Sequence, residues 1–308
     1  MLQSRRWATQ LHKWSWENSQ GMRFHSLSWE PEDRIRAVLA LAHGLGEHTG
    51  RYAPVGRILA RSGYAVAGFD LRGHGLSQGP RGHTPSYEAL LDDLSDFLEQ
   101  IRARYPRRPV FLYGHSLGGN LVLNFVLRRR PPLRGAVVTS AWLRVASEPP
   151  AAKMTLARVF NRFAPSFSQD WGLETVALSR DTKIVRAYAA DPLVHGRIST
   201  RMFVSFYEAG KWALEHAADF PLPLLLMHGT ADRVTSAEAS REFAKRAGKI
   251  VTWRAWEGMY HEIHNEPAGS RVVGTMVRWM NAQLGPKRPL RVRAGQKASG
   301  MRKSGPRS

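Results

Sequence analysis

Short apolar runs alternate along the chain with segments whose apolar residues recur at helical spacing. Apolar runs occupy residues 36–42, 64–70 and 109–114, and the segment 86–105 between the last two carries the helical spacing. Buried strands that alternate with amphipathic helices are typical of a mostly parallel sheet with helices on both faces. The pattern therefore predicts an α/β fold.

The first part of the chain follows a different pattern. Between residues 12 and 30, polar and apolar residues roughly alternate on either side of a Ser-Gln-Gly break. Alternation with a period of two, interrupted by turn-forming residues, predicts a β-hairpin with one covered face.

The strand-and-helix alternation lapses between about residues 142 and 220. This stretch is rich in Trp, Phe, Met and Arg and contains helix-like segments such as RVFNRFAPSF. Apolar strands resume at 221–232 and 249–258, and a last helix ends near residue 284. We therefore interpret 142–220 as a helical cap inserted into a single domain that spans residues 1–285.

The apolar run 109–114 leads directly into the pentapeptide GHSLG, centred on Ser116. This is a G-x-S-x-G motif between a predicted strand and a predicted helix, which is the context that the motif requires. Glycines two residues either side of the serine permit a sharp turn that lifts the hydroxyl out of the sheet, because side chains there would collide with neighbouring backbone. Ser116 is therefore the candidate nucleophile.

A serine hydroxyl needs a base to take its proton, and the base needs a carboxylate to orient it. In this kind of fold the chain order is serine, then aspartate or glutamate, then histidine, each near the carboxyl end of a strand. Asp232 follows the apolar run PLLLM, and His261 follows the next strand in GMYHEIHNE. The order predicts a triad of Ser116, Asp232 and His261.

Two rival residues need to be weighed. Asp70 ends the strand at 64–70, but it precedes the serine, so we interpret it as structural. His264 lies three residues after His261 and is the alternative base. We favour His261 because it is nearer the end of its strand.

Acyl transfer also needs two donors directed at the oxyanion of the tetrahedral intermediate. The amide of Leu117, the residue after the serine, is the first predicted donor. The loop HGLG after an early strand supplies the second, which we assign to the amide of Leu45 because the flanking glycines let the backbone turn inward. Glu47, His48 and Arg51 are expected to brace this loop.

The composition narrows the chemistry. There are no cysteines among the 308 residues, which excludes disulfides, thiolate nucleophiles and zinc held by cysteine. Several histidines lie in glycine-rich loops, where we expect ordinary loop hydrogen bonds, and none shows the spacing of metal ligands. The sequence predicts no metal and no cofactor.

The chain is strongly basic, with a formal net charge of +20. Residues 286–308 contribute eight Lys or Arg and no acid, and we expect this Gly- and Ser-containing tail to lack ordered structure. Such charge favours peripheral contact with an anionic membrane surface. No nucleic-acid-binding module is recognisable, so no specific nucleic-acid partner is predicted.

The sequence also predicts where the protein resides. No apolar stretch approaches the roughly 18 residues of a membrane-spanning helix. The N-terminus, MLQSRRWATQ, has early arginines but neither the apolar run nor the cleavage site of a signal peptide. We therefore expect a cytoplasmic protein that contacts membranes peripherally.

Several motifs together resemble the monoacylglycerol lipase and lysophospholipase branch of the α/β-hydrolases. They are HGLGEH with the following Arg51-Tyr52, then DLRGHGLS, GHSLGG, HGTAD and YHE. The resemblance covers residues 20 to 284, approximately, and not the tail. It implies an α/β-hydrolase fold, the same five site residues, a lipid-like ester substrate, and a mobile cap with an apolar outer face over an acyl-chain tunnel.

The cap segment departs from the resemblance in its arginine content. Seven arginines lie in it, namely Arg144, Arg158, Arg162, Arg180, Arg186, Arg197 and Arg201. Arginines are well suited to hold a phosphate, so the sequence leaves two ester substrates open, a neutral monoacylglycerol and a lysophospholipid.

The leading functional hypothesis is hydrolysis of carboxylic esters of acyl chains, first of all monoacylglycerols, through an acyl intermediate on Ser116. A lysophospholipase is the alternative within the hydrolases, and transfer of the acyl group to an alcohol also stays open. A non-catalytic protein that binds an apolar ligand is the alternative from another class. The acyl-chain length and the head group are not predicted.

Overall fold

A computed structural model of the protein describes residues 9–285. The strands are β1 (Thr9–Glu17), β2 (Arg23–Pro31), β3 (Ala37–Ala42), β4 (Tyr64–Phe69), β5 (Val110–His115), β6 (Gly135–Thr139), β7 (Ser168–Asp170), β8 (Arg197–Ser199), β9 (Leu224–Gly229) and β10 (Val251–Trp256). The helices are α1 (Ala53–Arg61), α2 (Tyr87–Arg104), α3 (Leu117–Arg129), α4 (Ala151–Phe163), α5 (Thr182–Ala190), α6 (Thr200–Glu215), α7 (Ala237–Ala247) and α8 (Gly269–Leu284).

Eight of the strands form one sheet in the order β1-β2-β4-β3-β5-β6-β9-β10. The strands from β4 to β10 in that order pair in parallel, and β1 and β2 form an antiparallel hairpin at one edge. Thr9 pairs with Pro31 and Glu17 with Arg23. Both the mostly parallel α/β fold and the entry hairpin are confirmed.

The central strands are buried on both faces, as their continuous apolar sequences predict. In β5, Leu112 belongs to the core under α2 and α3, whereas Phe111 and Tyr113 belong to the core under α1 and α8. Each fully buried side chain of this size contributes about 1.5–3 kcal/mol relative to an exposed one. The two cores hold β5 firmly in place, and with it the turn that follows.

The parallel strands end at one edge of the sheet, where the predicted site residues lie. Ser116 follows β5, Asp232 lies three residues after β9, and His261 lies five residues after β10. In open α/β sheets this carboxyl edge is where ligands bind. The fold therefore brings residues far apart in the sequence to a common edge.

The chain between β6 and β9 carries α4, α5, α6 and the small antiparallel pair β7–β8. Helix α6 packs on α3, where the side-chain amides of Asn120 and Asn124 donate to the carbonyls of Phe206 and Ala209 at 3.2 and 3.1 Å. This is the stretch for which the sequence predicts an inserted cap. The division into one domain and a cap at 142–220 stays a prediction.

Two further findings concern residues 9–285 alone. No helix in this range is long and apolar enough to cross a membrane. No group of three or more His, Asp or Glu side chains in it is arranged to hold a metal ion. The predicted basic tail, 286–308, lies outside the described residues.

Candidate active site

Ser116 occupies a strained turn between β5 and α3. Its φ is 54° and its ψ is −116°, in a region that L-residues rarely adopt. Its amide donates to the carbonyl of Thr139 at 3.0 Å, and its carbonyl accepts from the amides of Asn120 and Trp142, both at 3.0 Å. These three bonds hold the turn in its strained conformation.

The two glycines of the motif are required by close backbone approach. A Cβ on Gly114 would lie 2.3 Å from the carbonyl oxygen of Gly118, and a Cβ on Gly118 would lie 2.1 Å from that of Ala42. Both distances are far below van der Waals contact. The prediction that side chains at these positions would collide with backbone is confirmed.

His261 lies between Ser116 and Asp232. Its Nε2 is 2.9 Å from Oγ of Ser116, and its Nδ1 is 2.8 Å from Oδ2 of Asp232. A carboxylate can only accept, so Nδ1 carries the hydrogen and Nε2 of the neutral ring accepts from the serine hydroxyl. The structure thus brings the three predicted residues into one chain of hydrogen bonds.

The electrostatics of this chain favour a charged aspartate and a basic histidine. Burial alone would raise the pKa of Asp232, but the charge of His261 and hydrogen bonds from His228 and His261 outweigh it and hold that pKa well below its usual range. Burial alone would lower the pKa of His261, but the charge and hydrogen bond of Asp232 raise it above its usual value. A base of this kind is suited to proton transfer near neutral pH.

Three polar residues at the site were not predicted from the sequence. His228 places Nε2 at 2.9 Å from Oδ2 of Asp232, and the hydroxyl of Thr235 lies 3.0 Å from the same oxygen. Ser140, at a left-handed φ of 48°, donates its hydroxyl to the carbonyl of His261 at 2.7 Å. The motif HGTAD contains His228, and its spacing of four from Asp232 across a strand end was the available signal.

The loop that contains Leu45 lies against the nucleophile. A Cβ on Gly44 would come within 3.4 Å of Cβ of Ser116, and Leu45 and Ser116 line the same cavity. Within residues 9–285 the amide of Leu45 donates to no protein acceptor. The amide of Leu117 is the first of α3, a position without an acceptor inside a helix. Both predicted donors are therefore available to a bound oxyanion.

A buried ion network braces this loop. Glu47 accepts from the amide of Gly44 and from the hydroxyl of Tyr52, both at 2.7 Å. Arg51 donates to Glu47 at 2.5 Å and to the two carboxylate oxygens of Glu262 at 2.6 and 2.8 Å. Burial would raise the pKa of Glu262, but Arg51 lowers it to about 2. The predicted bracing by Glu47 and Arg51 is confirmed.

His48, the third predicted brace, contacts the segment between β6 and β9. Its Nε2 lies 2.8 Å from Oδ2 of Asp191, and its Nδ1 accepts from the amide of Gly50 at 3.2 Å. The backbone adds a contact beside it, because the amide of His195 donates to the carbonyl of Gly46 at 2.9 Å. The loop is thus held from two sides.

The rival residues lie elsewhere. Asp70 accepts from the amides of Thr49 and Leu76 at 2.8 and 2.9 Å, so it holds two loops together, as interpreted. His264 is buried with Nδ1 at 3.4 Å from the hydroxyl of Tyr113, and burial lowers its pKa to about 4. Since His264 makes no hydrogen bond to Ser116 in the described part of the chain, the geometry favours His261.

The cavity at Ser116 is small and leads to larger grooves. It measures about 30 Å³ and shares Trp171, Leu173 and Val234 with a groove of about 700 Å³. A further groove of about 540 Å³ runs beside α4 and shares Ile198 and Phe203 with the first groove. The three are neighbours through these shared residues, and most of their lining surface is apolar.

The seven arginines of the predicted cap segment, 142–220, do not line the cavity or these two grooves. Arg144, Arg158 and Arg180 pair with acids at 2.6, 2.6 and 2.7 Å, and none of the seven is among the residues that line the cavity or the two grooves. The basic residues that do line the grooves are Arg233 and Lys153.

Comparisons with known proteins agree with the fold. The family described as "Serine aminopeptidase, S33" matches residues 33–268. The monoacylglycerol lipase of Mycolicibacterium smegmatis is 32% identical over 265 residues, which are 83% of this chain and 92% of that protein. The crystal structure of the Paleococcus ferrophilus monoacylglycerol lipase has a TM-score of 0.76 and 33% identity, and the match covers 89% of this chain and 99% of that one.

A third relative is much longer. An uncharacterized abhydrolase domain-containing protein of Dictyostelium discoideum is 34% identical over 260 residues, which are 83% of this chain. The chain spans only 27% of the length of that relative.

Proposed function

Since the chain belongs to the serine aminopeptidase S33 family of α/β-hydrolases, and so is a serine hydrolase, we propose that it hydrolyses monoacylglycerols through an acyl intermediate on Ser116. The observation that carries the proposal is the hydrogen-bonded chain from Ser116 through His261 to Asp232, which opens onto apolar grooves. The relatives named as monoacylglycerol lipases support the same substrate.

The proposed cycle uses the residues in fixed roles. His261 takes the proton of Ser116 as Oγ attacks the ester carbonyl carbon, and the amides of Leu45 and Leu117 stabilise the oxyanion. His261 then gives that proton to the departing glycerol oxygen. A water molecule next loses a proton to His261 and attacks the acyl carbonyl, which releases the fatty acid and returns the proton to Ser116. Asp232 orients His261 throughout.

The family description names an aminopeptidase, but the residues that line the cavity do not favour a peptide substrate. An aminopeptidase must hold a free α-amino group, for which an unpaired carboxylate is the natural partner. Glu47 and Glu262 line the cavity, but Arg51 pairs with both. Both carboxylates that line the cavity at Ser116 are therefore already paired with a cation, which favours an ester over a peptide.

The grooves support a neutral head group. A phosphate would require convergent cations, and the cap arginines lie elsewhere. One observation favours lysophospholipids as a second candidate: Arg233 lines the larger groove, with its guanidinium 5.3 Å from the ring centre of Tyr260. Wild type and Arg233→Gln, assayed on monoacylglycerol and lysophosphatidylcholine of equal chain length, separate the two substrates.

We expect wild type to hydrolyse monoacylglycerol faster than lysophosphatidylcholine. We expect Arg233→Gln to hydrolyse monoacylglycerol at nearly the wild-type rate. If lysophosphatidylcholine is the better substrate of wild type and Arg233→Gln removes that preference, the second candidate replaces the first. A Ser116→Ala variant serves as the blank in both assays. If neither ester is hydrolysed faster by wild type than by this blank, the proposed function is wrong.

We further propose that the protein acts in the cytoplasm and contacts anionic membranes peripherally through α4. This helix exposes Leu156 and Phe163, which are 67% and 79% accessible, beside Lys153 and Arg162. Apolar side chains next to cations suit the cytoplasmic leaflet, which is negatively charged.

Sedimentation with vesicles tests the membrane contact. We expect wild type to bind phosphatidylserine-containing vesicles at low salt and Phe163→Ser to bind them more weakly. The control is Leu76→Ser, which alters an exposed leucine (60% accessible) outside α4 and should bind like wild type. Equal binding by all three proteins would contradict a role of α4. Cell fractionation tests the location.

A further inference from the structure

A second histidine contacts the carboxylate that holds His261. His228 is the last residue but one of β9, and its side chain is fully buried. Its Nε2 lies 2.9 Å from Oδ2 of Asp232, and its Nδ1 lies 2.8 Å from Oγ of Ser240 in α7. The oxygen that accepts from His261 therefore also accepts from His228.

The direction of each hydrogen bond follows from what the groups can donate. The carboxylate of Asp232 has no hydrogen to give, so Nε2 of His228 carries one. In the neutral ring Nδ1 is then a bare acceptor, and the hydroxyl of Ser240 donates to it. Ser240 therefore donates to His228, and His228 donates to Asp232. On the other side, Ser116 donates to His261, and His261 donates to the same carboxylate.

The remaining contacts of Asp232 are local. Its Oδ1 accepts from the amides of Val234 and Thr235 at 2.7 and 3.1 Å, within its own turn. These bonds fix Oδ1 and, because the carboxylate is planar, they restrict Oδ2 as well; the partners of Oδ2 add to this restraint and determine how its charge is shared. Among the side chains of the described residues, the partners of Oδ2 are His261, His228 and Thr235.

The position of His228 in the sequence is unusual for a strand core. The preceding residues of β9 are Leu224, Leu225, Leu226 and Met227, all buried. A buried polar side chain costs free energy unless it is hydrogen-bonded, and an apolar residue would fill a strand position without that cost. Both ring nitrogens of His228 are instead used toward the candidate site.

We infer that His228 and Ser240 are positioning residues of the site: Ser240 holds His228 in the tautomer that donates to Asp232, and His228 supports and shares the charge of the oxygen on which His261 depends. This inference rests on the proposed function, because it requires His261 to act as the base. Among the described residues, the other charged or titratable groups around His261 are His115, whose ring centre is 4.8 Å away, His264, and Glu262 and Glu47 of the ion network.

Removal of the hydrogen-bond donor at position 228 should change the pKa of His261 in a known direction. Without it, Oδ2 carries more negative charge toward His261 and stabilises the imidazolium more strongly, so the pKa of His261 rises. The acid limb of the kcat/KM profile then moves to higher pH. Loss of a hydrogen bond to a charged group also reduces kcat/KM, by about ten- to a hundredfold for His228→Leu.

The test compares five proteins on p-nitrophenyl butyrate between acid and alkaline pH, together with their rates of labelling by a fluorophosphonate. They are wild type, His228→Leu, His228→Gln, Ser240→Ala and Ser236→Ala. Glutamine keeps an N–H that can reach Asp232. Ser236 caps α7 by accepting from the amide of Ala239 at 3.1 Å, so Ser236→Ala perturbs the same helix without touching His228.

We expect His228→Leu to show the loss and the upward shift of the acid limb, His228→Gln to recover most of the activity, and Ser240→Ala to lie between them. Ser236→Ala lowers the melting temperature but keeps the wild-type profile. If His228→Leu does not fold, Ser240→Ala and His228→Gln decide by the same criteria.

The inference is overturned if folded His228→Leu, or Ser240→Ala in its place, has the wild-type pH profile and labelling rate. It is also overturned if Ser240→Ala and Ser236→Ala change the profile alike. A wild-type protein that neither reacts with the probe nor cleaves the ester contradicts the proposed function itself, which distinguishes the two failures.

Discussion

Arg51 forms a bidentate ion pair with Glu262, the residue that follows His261. Its two terminal guanidinium nitrogens lie 2.6 and 2.8 Å from the two carboxylate oxygens. The same guanidinium contacts Glu47, which holds the amide of Gly44 next to the predicted oxyanion donor. One buried cation thus joins the loop of the oxyanion hole to the loop of the base. The two halves of the proposed site are held at a fixed separation by this contact.

Replacing Arg51 by Met should destabilise the fold strongly. Two buried carboxylates would lose their partner, and breaking a buried ion pair in this way costs about 3 to 5 kcal/mol. Urea unfolding measures the change in the free energy of unfolding.

The matched control is Arg158→Met. The Arg158–Glu208 pair is exposed, with side chains 43% and 45% accessible, and such pairs contribute less than about 1 kcal/mol. Equal losses in the two variants would mean that the buried network does not stabilise the site.

Gly118→Ala should abolish reaction at Ser116. A methyl group at this position would lie 2.1 Å from the carbonyl of Ala42, so the turn must move. Gly274→Ala in α8 is the control, because the nearest atom to its added methyl is a flexible Arg278 nitrogen at 3.6 Å. Alanine is favoured over glycine in a helix by about 1 kcal/mol.

Fluorophosphonate labelling and thermal unfolding of both variants check this prediction. We expect Gly118→Ala to lose labelling and Gly274→Ala to keep it with equal or higher stability. Full labelling of Gly118→Ala would show that the tight turn is not needed.

The activity should depend on pH through His261, which must be neutral to accept the serine proton. Asp232 raises the pKa of His261 above its ordinary 6.5. As the pH increases, kcat/KM of wild type should therefore rise, and the midpoint of this rise should lie above pH 6.5. Asp232→Asn removes the raising charge, so the midpoint should fall, and kcat should drop by about 10⁴-fold.

The same shift has a consequence for stability with a definite sign. Since the pKa of His261 is raised in the folded state, its pairing with Asp232 stabilises the fold fully below the unfolded pKa near 6.5. That contribution is lost as the pH rises through the folded pKa. In the activity measurement, an acid limb of the kcat/KM profile that lies at the same pH in Asp232→Asn as in wild type would contradict this pairing.

Ala157→Trp should shorten the preferred acyl chain. Ala157 lines the groove beside α4, and an indole there would displace the far end of a long chain. If four methylenes lose their apolar contact at about 0.8 kcal/mol each, kcat/KM for a long-chain ester should fall about two hundredfold relative to a butyrate.

Val159→Trp on the same helix is the control, because Val159 is 53% exposed and does not line the groove. Its ratio of long-chain to short-chain kcat/KM should match that of wild type. Equal ratios in all three proteins would place the acyl chain elsewhere.

The sequence was sufficient for the sheet and for the three residues at its edge. Ser116 was identifiable because its motif stands between a strand and a helix, and Asp232 and His261 because each follows a strand in the required order. Helix α3 ends at Arg129, just before Pro131 and Pro132, which cannot continue a helix. These features depend on local pattern and chain order, which a sequence displays directly.

Contacts across the fold were less accessible. Strand β6 ends at Thr139, because Ser140 turns out of the sheet at a left-handed φ, and the sequence does not show that turn because the next residue, Ala141, is again apolar and buried. The pairing of Arg144 with Glu242 joins residues 98 apart, so the sequence showed cap arginines without their partners. The role of His228 similarly depends on how α7 packs on β9.

The role of Ser116 as nucleophile is tested most directly by the site of covalent modification in the full chain. Treatment with a fluorophosphonate, followed by peptide mapping by mass spectrometry, should locate one adduct, on Ser116. Ser116→Ala should then take up no probe and hydrolyse monoacylglycerol no faster than buffer. An adduct on another residue, or hydrolysis by Ser116→Ala at the wild-type rate, would contradict the assignment of Ser116 as the nucleophile.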